Sequence, residues 1–262
     1  MTDDSRSGHK IGVLVPYTNV NLEPYMAMMC PPGCTMHFER LGDYDIDEVP
    51  GSEQMARLGA SDLTETLRLI SGVRPAAVLY GCTSATLTHG RAFDRDLADL
   101  IRDRSGAVSL TAAGALVEAV GALGVTRVGF SSPYLGEIND QAVAFLASEG
   151  IETVERADIG RALGNYGQGE LTPDEVIALA LRVARPGVAA IVLSCTDLRA
   201  AEAVDRIEAE TGLPVVTSNQ AMIFALCRAL SLPRPAGAPG RLFDLLQDQG
   251  SSDPISSLRR AT

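Results

Sequence analysis

The chain carries one pattern twice. Ala76-Ala77-Val78-Leu79-Tyr80-Gly81-Cys82-Thr83 in the first half is echoed by Ala189-Ala190-Ile191-Val192-Leu193-Ser194-Cys195-Thr196 in the second. Each is a run of strand length, rich in Val, Ile and Leu and without polar alternation, as expected for a strand covered on both faces in a parallel sheet. Parallel strands need crossover connections, usually helices, so a chain built on such runs is an α/β protein. In open sheets of this kind ligands bind beyond the carboxyl ends of the strands. Both runs end there in a cysteine, which puts two thiols where a substrate would sit.

Short apolar runs alternate with longer helical patterns from Ile11 to about Leu230. Strands are expected near 11–16, 35–41, 76–81, 107–110, 125–131, 151–157, 188–194 and 213–217. Ser52–Ser71, Phe93–Arg104 and Asp197–Glu210 read as amphipathic helices with solvated charges on the outer face. The echo extends beyond the cysteines, with offsets of 117 residues from Pro16 to Pro133, 113 from Cys82 to Cys195 and 107 from Val108 to Val215. Three matches in the same order describe a duplicated four-stranded unit. The expected fold is therefore two Rossmann-like α/β units related by pseudo-two-fold symmetry. One unit comprises residues 1–111 with 218–262, the other 112–217, and the site lies in the cleft between them. Ser231–Gly240, rich in Pro and Gly, reads as a linker or loose tail, and a short helix is expected at Arg241–Gln247. The last twenty residues are expected to carry no chemistry.

Composition narrows the function. The 262 residues are 46% hydrophobic with a formal net charge of -11, so no basic surface for nucleic acid is expected. No stretch reaches the roughly 18 apolar residues of a membrane helix, and Met1–Lys10 lacks the apolar core of a signal peptide. Residence in the cytoplasm, without a membrane partner, is the expectation. Five cysteines, an odd number, then point to reduced thiols rather than a disulfide framework.

Free cysteine often behaves as a small buried hydrophobe. Cys227, in the apolar helix Ala221–Leu230, reads as core. Cys30 and Cys34 flank Pro31-Pro32-Gly33 with no further ligand nearby and read as structural. Cys82 and Cys195 differ, because each lies just past a strand and opens toward a helix whose first amides lower a thiol pKa. Thr83 and Ser84 follow one, Thr196 and Asp197 the other. These hydroxyls and amides suit a carboxylate, although Thr83, Ser84 and Asp197 are also natural helix caps. Tyr134 and Tyr17 occupy equivalent places in the two halves, and Asn165 sits in the loop Gly164-Asn165-Tyr166-Gly167-Gln168-Gly169. His9, His37 and His89 show no paired spacing and are assigned no catalytic role.

Taken together, Val15-Pro16-Tyr17-Thr18-Asn19, Tyr80-Gly81-Cys82-Thr83-Ser84, Ser132-Pro133-Tyr134, Ser194-Cys195-Thr196-Asp197-Leu198-Arg199 and Pro214–Ala221 resemble the maleate cis-trans isomerase family. That family belongs to the aspartate/glutamate racemase superfamily together with arylmalonate decarboxylase. The resemblance covers about residues 10–230. It implies that Cys82 is the nucleophile, Cys195 the acid and base, and Asn19, Tyr134 and Asn165 the holders of the substrate carboxylates. It further implies conversion of maleate to fumarate through a covalent Cys82 adduct. Thr83-Ser84 is similar to the carboxylate-binding turn of arylmalonate decarboxylase, which has glycine where this chain has Cys82.

No metal or organic cofactor is expected, and a homo-oligomer is expected from general statistics. Three other functions remain open at this level: racemisation of an amino acid or related chiral acid, decarboxylation of a malonate, and carboxylate binding without catalysis.

Overall fold

The computed structural model describes residues 8–42 and 51–246. Eight strands form two sheets: β1 (His9–Pro16), β2 (Cys34–Leu41), β3 (Ala77–Tyr80) and β4 (Val108–Thr111) in one, and β5 (Arg127–Ser132), β6 (Glu152–Asp158), β7 (Ala190–Leu193) and β8 (Val215–Thr217) in the other. The orders are β2-β1-β3-β4 and β6-β5-β7-β8, and every pair is parallel. The second sheet thus repeats the topology of the first, which bears out the fold read from the duplicated pattern.

Side-chain alternation splits the interior into two cores. Ile11, Val13, Val15 and Leu79 join Val128, Phe130 and Val192 in one, whereas Leu14, Val78 and Tyr80 join Ile191 and Leu193 in the other. This is the period-two consequence of strands buried on both faces. The first core is shared by the two sheets. At its centre the helix Ser218–Ala229 packs on the helix Ala112–Ala122, and on β4 and the helix Leu22–Met28. Ten of the twelve residues in Ser218–Ala229 are buried, which explains its apolar character on all sides. Thr111 and Thr217 start the two central helices, their hydroxyls accepting from Gly114 N (2.9 Å) and Gln220 N (3.1 Å). Cys227 is core, as expected.

Three expectations require correction. Ser52–Ser71 is two helices, Ser52–Gly59 and Thr64–Ser71. Polar side chains cause the break: Ser61 Oγ donates to Leu58 O (2.8 Å) and Asp62 Oδ1 accepts from Thr64 N (2.8 Å), each competing with the helical ladder. The helix read from Asp197 begins only at Val204, because Asp197 is drawn away to the amides that follow β1. Ser231–Gly240 is packed rather than loose. Leu232 and Ala238 are buried, and Gln220 Nε2 donates to Pro239 O (2.8 Å).

The segment ends in a 3-10 helix, Arg241–Leu245, whose Leu242 and Phe243 dock on the body. Gln247 and most of the last twenty residues lie outside the described residues, as does the bulk of Met1–Lys10. No helix among the described residues is long and apolar enough to cross a membrane.

Two buried carboxylates set a pH dependence of stability. Burial pushes Asp94 up to about 6, against the hydrogen bond it accepts from Thr111 Oγ1 (2.6 Å), and likewise raises Asp197 to about 6. Both folded-state values lie above the ordinary carboxylate value, so the folded protein binds more protons than the unfolded chain between about pH 4 and pH 6. Stability therefore falls as pH rises through this window, on the order of 1–3 kcal/mol per group. Carboxylates shifted the other way, such as Glu175 and Glu65, are exposed and contribute little. Urea denaturation is expected to show a lower midpoint at pH 7 than at pH 5, with Asp94→Asn flattening the difference. A midpoint that climbs steadily over that interval would contradict the assignment.

Candidate active site

The carboxyl ends of β1, β3, β5 and β7 converge on one cavity. Pro16, Cys82, Tyr134 and Cys195, one from beyond each of these strands or at its end, line it. About 410 Å³ of space, part of it open to solvent, lies between these residues. Both cysteines are buried, at 5% and 6% exposure, and both are free thiols. Among the described residues no Lys, Arg or His lines the cavity, and those that do would meet an anion with hydroxyls, amides and dipoles. Among the described residues no group of three or more His, Cys, Asp or Glu is placed to hold a metal ion.

Cys82 stands at the N-cap of the helix Thr83–Leu87. Burial raises its thiol pKa, opposed by the amides of Ala85 and Ser84 and by the Ser84 hydroxyl, whose oxygen is 3.7 Å from Sγ. Ser84 Oγ itself donates to Met55 Sδ (2.9 Å), a weak acceptor easily exchanged for a carboxylate. Gly81, just before the cysteine, allows a close approach: a Cβ there would lie 2.4 Å from Leu22 Cδ2 and 2.7 Å from Leu14 O.

Cys195 is placed differently. Its φ is 155°, a conformation that L-residues rarely adopt, so the chain holds this thiol under backbone strain of about 1–3 kcal/mol. Burial and then the Asp197 charge push its pKa up to about 12, opposed by the Asp197 amide and a hydrogen bond from the Tyr134 hydroxyl. Its Sγ donates to Gln168 Oε1 (3.3 Å). Tyr134 feels both sulfurs, and burial with their charges holds its hydroxyl protonated. The two thiols therefore share one cavity but not one environment.

Side chains tie the halves together around this space. Asn19 Oδ1 caps the helix Leu22–Met28 by accepting from Asn21 N (3.1 Å) and Leu22 N (2.9 Å), while its Nδ2 donates to Thr196 Oγ1 (2.9 Å). Thr196 in turn donates to Gly81 O (2.8 Å). Thr83 Oγ1 donates to Ser218 Oγ (2.9 Å), which also accepts from Cys195 N (3.2 Å). Asp197 Oδ1 accepts from Val20 N (2.9 Å) and Asn21 N (3.1 Å), two amides of the other half just ahead of the helix Leu22–Met28, rather than capping a helix of its own half. The helix caps expected at Thr83 and Ser84 are absent as well: no side chain caps Thr83–Leu87.

Of the residues read from the sequence, Cys82, Cys195, Asn19, Thr83, Ser84, Tyr134, Asn165 and Thr196 all reach the cavity. Tyr17 does not. It is half-buried outside the lining, and Thr18 faces the cavity in its place, because the turn closed by Asn19 N on Pro16 O (2.9 Å) points alternate side chains apart. Gln168 and the apolar wall of Met55 and Leu58 also line the cavity, beyond the residues expected from the sequence. Gln168 was visible only as a polar residue in the loop of Asn165, and the wall residues carry an ordinary helical core spacing.

Paired α/β lobes with one buried thiol from each, facing a common anion-binding cavity, define an enzyme that works by cysteine acid–base and nucleophilic chemistry. The chain belongs to the arylmalonate decarboxylase family, which matches it over residues 11–243. It is 28% identical over 243 residues to maleate isomerase of Nocardia farcinica, covering 89% of this chain and 94% of that protein. Arylmalonate decarboxylase of Bordetella bronchiseptica is 30% identical over 167 residues, 62% of this chain and 68% of that protein. A solved structure of a cysteine-to-serine variant of the Nocardia farcinica maleate cis-trans isomerase, with a covalently bound succinylcysteine intermediate, superimposes with a TM-score of 0.80 at 26% identity, covering 92% of this chain and 99% of that one. The family resemblance carried by the motifs is thereby confirmed.

Proposed function

We propose that this enzyme interconverts maleate and fumarate without a cofactor, with Cys82 as nucleophile and Cys195 as acid and base. The observation that carries the assignment of roles is the unequal setting of the thiols. Cys82 meets the amides of Ala85 and Ser84 at a helix N-terminus, whereas Cys195 faces, beside the Tyr134 hydroxyl and the Asp197 amide, an acceptor and a carboxylate that favour the thiol. In this reading the Cys82 thiolate adds to one alkene carbon of maleate and the π electrons pass into the carboxylate on the far carbon, forming an enediolate. Cys195 delivers a proton to that carbon and takes it back. Between these steps the former double bond is a single bond and turns. The electron pair then reforms the alkene, the carbon–sulfur bond breaks, and fumarate leaves.

Thr83, Ser84 and Tyr134 hydroxyls, with the amides beyond Cys82, stabilise the enediolate; one such donor is worth about 3–4 kcal/mol in comparable sites. Thr18 and Asn165 complete the polar lining. Asn19 and Thr196 act in this scheme mainly by locking the two halves, since each is engaged across the interface. The succinylcysteine seen in the Nocardia farcinica relative supports the covalent route.

The test is incubation with maleate in deuterated water followed by proton NMR. The alkene signal of maleate should give way to that of fumarate. A protein that leaves maleate unchanged but exchanges the α-proton of aspartate or glutamate, or releases carbon dioxide from a substituted malonate, would overturn the proposal. The pH profile is a second check. Because burial holds Cys82 above the ordinary thiol value, kcat/KM should keep rising with pH past about 8.5, the ordinary value, as the thiolate forms. Cys195, at about 12, should contribute no falling limb until pH approaches that value.

A further inference from the structure

The short helix Gly167–Glu170 is fastened to the opposite half of the molecule. Gly169 O accepts from Asn21 Nδ2 (3.0 Å), and a Cβ on Gly169 would lie 2.8 Å from Asp197 Oδ2, so a larger residue there would push these side chains out of place. Gln168, next to Gly169 and three residues after Asn165, places its Oε1 3.3 Å from Cys195 Sγ. A carboxamide oxygen accepts and cannot donate, so it pairs with the sulfur only while the sulfur carries its proton. The same sulfur also meets the Tyr134 hydroxyl, a donor that serves the deprotonated form. Asp197 and Cys82 are the remaining titratable groups that bear on it.

We propose that Gln168 is a positioning residue for the acid step: its carboxamide holds Cys195 as the protonated thiol, aimed from a docked loop, and Tyr134 takes over as hydrogen-bond donor once that proton has moved to substrate. The inference rests on the role of Cys195 in the reaction proposed above. It adds a residue that tells the two cysteines apart, since Cys82 is met instead by the amides of Ala85 and Ser84 and by the Ser84 hydroxyl.

The test uses the ligand-free full chain, so that it is independent of which substrate is turned over. Alkylation of each cysteine by iodoacetamide is followed by peptide mass mapping from about pH 7 to pH 11, the rising limb below the Cys195 value of about 12, where the rate follows the thiolate fraction. Gln168→Glu keeps the shape and the acceptor and adds a charge, so the Cys195 profile should move to higher pH while the Cys82 profile stays in place. Gln168→Leu removes the acceptor, and with maleate it should lower kcat roughly tenfold with little change in KM, with Gln168→Asn partly restoring it.

A Cys195 profile in folded Gln168→Glu that superimposes on the parent protein would overturn the proposal. So would a Gln168→Leu enzyme of parental kcat. A parent protein inert toward maleate but with the expected alkylation shift would sink the maleate reading alone and leave the role of Gln168 intact.

Discussion

Cys82→Ala is expected to lower maleate turnover by at least about a thousandfold, and Cys195→Ala by a comparable factor, with the double variant hardly worse than either single one. Cys82→Ala removes the atom that bonds to substrate, and the other thiol lining the cavity, Cys195, does not stand at a helix N-terminus. Cys195→Ala removes the proton carrier while leaving Cys82 and its amide donors in place. The two therefore fail for different reasons, and the residual chemistry separates them. Cys195→Ala should retain an alkylatable Cys82, whereas Cys82→Ala should show no modification by an electrophilic substrate analogue. Steady-state rates by NMR, with mass mapping of the trapped protein, read both effects. Retention of activity within tenfold by Cys82→Ala would remove the basis for covalent catalysis.

Gly81→Ala should lower both stability and activity. The added methyl would meet Leu14 O in the central strand β1 at 2.7 Å and Leu22 Cδ2 at 2.4 Å, and both residues are fully buried. Leu14 O cannot retreat without disturbing β1, and it already accepts from Gly81 N (2.9 Å). Overpacking of this kind costs about 1–3 kcal/mol, which for a chain of this size lowers Tm by several degrees. Activity suffers for a linked reason. Gly81 precedes the nucleophile and its carbonyl accepts from Thr196 Oγ1 across the cleft, so displacement there shifts Cys82 and loosens the tie between halves. Thermal denaturation alongside maleate turnover checks the pair of effects; an unchanged Tm with full activity would show that β1 yields more easily than its burial implies.

The strands were legible because burial on both faces leaves a composition that few other structures tolerate. Ala77–Tyr80 and Ala190–Leu193 are apolar at every position, and the echo between them marks equivalent strands in two sheets. The cysteines stood out for a positional reason, since a residue beyond a central parallel strand faces the ligand side of the sheet. Less legible were features that depend on what lies opposite. Asp197 looks like the start of a helix in the local sequence, yet its carboxylate serves amides 176 and 177 positions away. Ser231–Gly240 looks loose because Pro and Gly dominate it, yet Leu232 and Ala238 find apolar partners that a linear reading cannot supply.

By itself, then, the sequence determined the α/β class, the duplication and the identity of the two thiols, because these follow from periodicity and from the chemistry of residue types. Tertiary structure alone decided that Thr18 rather than Tyr17 faces the cavity, that Met55 and Leu58 form its apolar wall, and that Gln168 meets Cys195. It also decided the difference between the thiols. An environment of donors for one sulfur and of an acceptor and a carboxylate for the other arises only where loops from both halves meet, and burial then amplifies these dipoles and charges beyond anything they could exert in water.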